Sequence, residues 1–95
     1  MVTVSKLMGK KVIGANAYTL GEVHGADVDT DKWQITHLHV SLTDEATREL
    51  GFRKPLLGSV VVCLPVSLIQ AFGDVISLNK SLQELRSFVE PKKHR

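Results

Sequence analysis

Glu22-Val-His-Gly-Ala-Asp-Val-Asp29 and Gln34-Ile-Thr-His-Leu-His-Val-Ser-Leu42, joined by the polar turn Thr30-Asp31-Lys32, decide the fold class. In the second segment Thr36, Leu38, Val40 and Leu42 alternate with Ile35, His37, His39 and Ser41. That period of two puts one face of a strand on a core and leaves the other largely wet. Two such segments around a short polar turn predict a β-hairpin.

Working outward, Lys11-Val-Ile13 reads as a brief strand, followed by a loop through the turn formers Gly14, Asn16 and Gly21. Beyond the hairpin, Thr43 is placed to cap a short helix over Asp44–Leu50. Asp44 and Glu45 sit at its positive end and Gly51 at its exit. Leu57–Leu64 carries a β-branched run that predicts a buried strand, stopped by Pro65. Val66–Phe72 predicts a single helical turn closed by Gly73, and Asp74–Leu78 another alternating strand. Ser81 with Glu84 three residues on is a capping-box signature, opening a final helix with Leu82, Leu85 and Val89 on one face. Five short strands favour a small barrel or a strongly curved sheet, because closure removes edges that so short a chain cannot otherwise protect.

Composition agrees with one small domain. The chain has 95 residues, 43% apolar and 23% charged, too apolar for a disordered chain. No apolar run approaches the roughly 18–20 residues that span a bilayer, and Met1–Lys11 lacks the apolar segment of a signal peptide. A single cysteine, Cys63, excludes an internal disulfide and a multi-cysteine metal site. Residues 1–90 are expected to form the domain and residues 91–95 a basic, disordered tail. Twelve Lys and Arg face ten Asp and Glu, and taking away Lys92, Lys93 and Arg95 leaves nine against ten. The body therefore lacks the concentrated basic face that nucleic acid requires.

The succession Leu7-Met-Gly-Lys-Lys-Val-Ile13, Leu20-Gly-Glu-Val23, Asp27-Val-Asp29, Leu38-His-Val40, Leu64-Pro-Val66 and Gly73-Asp-Val-Ile-Ser-Leu78 resembles the PRC-barrel domain family over residues 5–88. The resemblance implies a mostly β fold: a small barrel of five or six strands, with one short connecting helix and a short C-terminal helix. Such domains occur in the photosynthetic reaction-centre H subunit, in the ribosome-maturation factor RimM and as short stand-alone archaeal proteins, the group this chain looks most like. Some of the last are implicated in cell division, as adaptors that bind the membrane-anchor protein SepF. The family is a protein-binding scaffold and lends the chain no catalytic residue.

Four groups of residues invite a chemical reading. His37 and His39 share a strand face, and His24 lies on the partner strand, so three imidazoles could hold zinc. The favoured reading is ordinary surface histidines, because the register that would bring in His24 is not fixed. Asp27, Asp29 and Asp31 open like a calcium loop, but Lys32 and Leu38 stand where that loop needs glycine and glutamate. Cys63, among Val60, Val61, Val62 and Leu64, is expected to be a buried structural thiol. Trp33 beside the hairpin turn either caps a barrel end or anchors a partner.

No nucleophile elbow, phosphate-gripping loop or dinucleotide fingerprint is present, so neither an enzyme nor a cofactor is expected. The leading expectation is an adaptor in an archaeal cytoplasm, homodimeric, recruited to the division site by a SepF-like partner. The alternative, by analogy with RimM, is an RNA-processing or ribosome-maturation factor. In that reading, or in contact with anionic lipid, Lys92, Lys93 and Arg95 would do the touching.

Overall fold

The structure, a computed structural model, describes residues 2–91. Seven strands form one mixed sheet: β1 (Lys11–Ile13), β2 (Thr19–Asp29), β3 (Gln34–Leu42), β4 (Val61–Pro65), β5 (Ile69–Phe72), β6 (Ile76–Leu78) and the two-residue β7 (Glu90–Pro91). Their spatial order is β5-β6-β1-β2-β3-β4-β7, antiparallel throughout except for β1 beside β6. Three short helices are added: α1 (Val4–Leu7), α2 (Asp44–Glu49) and α3 (Leu82–Leu85).

The alternation read from β3 holds for its inner residues from Leu38 to Leu42, but His39 between them is buried too, and a register shift that skips Thr36 leaves Ile35 lining the same groove as Leu38. Leu38, Val40 and Leu42 point inward, where Leu38 pairs with Leu64 and Val40 with Val62 and Val23. Val12, Leu20, Ile76, Leu78, Leu82 and Leu85 join them in the core, with Leu7, Ala46, Leu50, Leu68 and Val89 around it.

The sheet is rolled. In a flat sheet five strand spacings would put β4 and β5 about 24 Å apart. The chain passes from Pro65 to Ile69 through one 3-10 turn, Val66–Leu68, and four residue steps reach at most about 13 Å. The end of β4 and the start of β5 must therefore lie together. Among the described residues no ladder joins β5 to β7, so the sheet is open where a closed barrel was expected. Both outer strands are short, which leaves few groups to close a seam.

Other differences are local. Val66–Phe72 is a helical turn only to Leu68, after which Ile69–Phe72 pairs with β6 as a strand. The strand expected from Leu57 starts at Val61, because Gly58 turns at φ +81 and leaves Leu56 and Leu57 in solvent. α1 was not expected at all; its single turn buries Leu7. Pro91, assigned to the tail, stands in β7 opposite Val62, whereas Lys92, Lys93 and Arg95 lie outside the described residues.

The caps hold as expected. The Thr43 hydroxyl accepts from the Ala46 N–H at 3.0 Å, and Gly51 leaves α2 at φ +80. Ser81 and Glu84 close a reciprocal capping box, with the Ser81 N–H donating to Glu84 at 2.9 Å and the Glu84 N–H to the Ser81 hydroxyl at 3.4 Å. Those Ser81 contacts stabilise the ionised carboxyl and hold Glu84 below the usual carboxylate range. α2 and α3 pack on each other at the end of β3 remote from the hairpin turn.

Candidate functional site

Strand alternation and one bulge build the outer face of β2–β3–β4. Val23 pairs with Val40 and Gly25 with His39, so His24 is the extra residue of a bulge and stays exposed. His39 pairs with Cys63 on its other side, and His37 lies between Asp27 and Pro65. Directly opposite residues share a face, so Gly25, Asp27, His37, His39, Cys63 and Pro65 all look outward.

Gly25 decides where the His39 ring goes. A Cβ there would sit 3.1 Å from Nδ1, so the missing side chain leaves room for the imidazole over the strand. The ring reaches its diagonal neighbour, and Nε2 lies 2.8 Å from Asp27 Oδ1. His39 is 8% exposed although it belongs to the outer face. One ligand atom from each of Asp27, His39 and Cys63 lies within 4.8 Å of the other two. Asp27 is exposed, so the cluster is open on one side. Cys63 also lines a cavity of about 190 Å³ with His37, Pro65, Ser87 and Phe88.

This arrangement revises two expectations. Cys63 is not a core thiol: Val62 and Leu64 turn inward and Cys63, between them, turns outward. The histidines do not assemble as a trio, and the favoured reading of ordinary surface histidines fits exposed His24 but not the nearly buried His39. His24 is set apart by the bulge, and Nδ1 of His37 contacts the Thr36 hydroxyl at 2.9 Å. Asp27 and Cys63 join His39 in their place. The aspartate run does turn chemistry, with Asp29 Oδ1 accepting from the N–H groups of Asp31, at 2.9 Å, and Lys32.

The second distinctive region is the hairpin end. Trp33 is 78% exposed and its φ of +54 lies in the left-handed region. Val28, also exposed, stands opposite Ile35 in the ladder. Ile35 lines an apolar groove of about 300 Å³ with Val4 and Leu7 of α1, Leu38, Val66, Ile69 and Phe72. Lys10 lies over the Phe72 ring, 5.1 Å from its centre, and puts a cation near the groove's rim. A wider cleft of about 420 Å³ runs elsewhere, along Lys11, Glu22, Ser41 and Ser59.

No family model matches the chain, and no curated protein matches its sequence. Among the described residues no helix is long and apolar enough to cross a membrane. What the molecule defines by its own geometry is a small, mostly β domain with the Asp27–His39–Cys63 cluster on its outer face and an apolar groove behind Ile35.

Proposed function

We propose that the chain is a non-catalytic protein-interaction module, an adaptor or scaffold of the PRC-barrel type, that associates through its hairpin end. One observation carries this reading: Trp33. A left-handed backbone costs a side chain with a Cβ roughly 1–2 kcal/mol, and glycine or asparagine would occupy that turn position at less cost. Trp33 is 78% exposed, so folding recovers little by burying it. Strain at a position where packing does not require the residue points to a role outside folding. Tryptophan is the side chain most enriched where binding energy concentrates.

Exposed Val28 and the Ile35 opposite it, which lines the apolar groove, stand on the two strands that flank the Trp33 turn. A partner closing over this end would gain about 25 cal/mol for each Å² of apolar area removed from water. A second copy of the chain is one such partner, which makes the module a homodimer. The PRC-barrel resemblance supplies the other, a SepF-like protein of the division site in an archaeal cytoplasm.

The test compares the native chain with Trp33→Asn, each immobilised and offered a purified SepF-type protein and total RNA, then washed at high salt. Retention of the protein by the native chain and its loss from the variant is the expected result. Equal retention by both chains overturns the hairpin assignment. RNA that is held in a parallel wash at physiological salt, with no protein bound, would favour the ribosome-maturation alternative.

A further inference from the structure

We propose that Asp27, His39 and Cys63 form a site for one borderline-soft divalent cation of the zinc class, on the outer face of β2–β3–β4. The donor set is one carboxylate oxygen, one imidazole nitrogen and one thiolate sulfur. Thiolate with imidazole selects zinc-like ions over magnesium and calcium, which prefer all-oxygen sites.

The spacing is close to what such an ion needs. Tetrahedral bonds of about 2.0 Å to nitrogen and oxygen and about 2.3 Å to sulfur put neighbouring donor atoms roughly 3.3–3.6 Å apart. His39 Nε2 and Asp27 Oδ1 start at 2.8 Å, and the whole triad lies within 4.8 Å. Shifts of about an ångström in the donor atoms bring the three into range of one ion.

The proton balance is simple. The proton between His39 and Asp27 is exchanged through solvent onto Nδ1 of the same ring, which frees the Nε2 lone pair of a neutral imidazole, and the Cys63 thiol releases its proton to solvent as the sulfur–metal bond forms. One thiolate, one carboxylate and a neutral imidazole then cancel the charge of a divalent ion, which suits a face where His39 is nearly buried.

Three strands contribute one ligand each, so the ion ties β2 to β3 and β3 to β4 from outside, opposite the apolar core. Three protein ligands leave a fourth position for water or an external donor. The exposed side of Asp27 provides access for it.

The test is a titration of the untagged full chain with Zn²⁺ alone by calorimetry, repeated with Co²⁺ to read the thiolate-to-metal absorption band. One equivalent per chain is expected, with the sulfur band present. Cys63→Ser and Asp27→Asn are near-isosteric and keep the fold, which far-ultraviolet circular dichroism verifies. Each should weaken binding by at least the roughly 10–100-fold that loss of an outer-shell partner costs. A triple control, His24→Gln, His37→Gln and His94→Gln, should bind as the native chain does. Absence of stoichiometric uptake overturns the site, as does uptake that survives Cys63→Ser or is lost in the triple control. The result is independent of whether the hairpin end binds protein.

Discussion

The two ends of the rolled sheet are built on opposite principles. At the helical end the helix caps are held by residues those positions favour, with Thr43 and Ser81 at helix starts, Gly51 at a helix exit and Glu84 closing the capping box, and the left-handed position before β2 is taken by Ala17 at φ +63, which brings only a methyl group. At the hairpin end a tryptophan occupies a left-handed turn in full view of solvent, beside exposed Val28 and an open apolar groove. Local choices that agree with the fold mark the part that carries stability. A choice that disagrees without visible compensation marks the part selected for something else.

Substitutions should separate the ends, against a core common to both. Leu64→Ala, between β3 and β7 and fully buried, should cost about 2–5 kcal/mol in denaturant unfolding. Its outward neighbour in the same strand, Cys63→Ser, should cost far less in the metal-free chain. Gly21→Ala comes next. The added Cβ would fall 2.0 Å from the Ser41 carbonyl oxygen, a backbone atom that no side-chain rotation can clear. A loss of about 1–3 kcal/mol or more is expected. The nearest atoms to a Cβ at Gly25 belong to the His39 side chain, with Nδ1 at 3.1 Å, so Gly25→Ala should be milder while displacing that ring from Asp27. Equal losses at the two glycines would mean that the bulge does not hold the register described.

Smaller effects should differ in sign between the ends. Ser81→Ala removes a cap and should destabilise by about 1 kcal/mol. Trp33→Asn relaxes the left-handed turn and should leave stability unchanged or raise it by about 0.5–1 kcal/mol. A clear loss there would show Trp33 to be a packing residue and remove the contrast. Least of all is a pH effect at the helical end. Glu84 is held below its ordinary range when folded, so its contribution is present above the unfolded pKa and fades as pH falls through the folded one. Glu84→Gln should flatten that acid limb in a series of unfolding midpoints.

How much was legible in the sequence follows the same division. Gln34–Leu42 has the bounds expected for that strand, and the caps follow from Thr43 ahead of Asp44 and Glu45 and from Ser81 with Glu84 three residues on. Local patterns of that kind need no knowledge of the rest of the chain. The open sheet, α1 and the pairing of Ile69–Phe72 depend on where the chain returns after Pro65, which periodicity does not record. The Asp27–His39–Cys63 cluster was hidden for a sharper reason. It depends on a one-residue bulge at His24, and a slip of one residue moves a side chain to the other face. Cys63 sat in an apolar run whose neighbours suggested uniform burial. Trp33 was visible as a candidate anchor, but its backbone strain was not.

The most direct test uses the fact that Trp33 is the chain's only tryptophan. Its emission, followed as the chain is concentrated and then mixed with a SepF-type partner, reports on the hairpin end alone. The account predicts water-like, readily quenched emission from the dilute chain, shifting to the blue as scattering reports association. Blue, shielded emission from the dilute monomer, or water-like emission that persists while the chain associates, would contradict it.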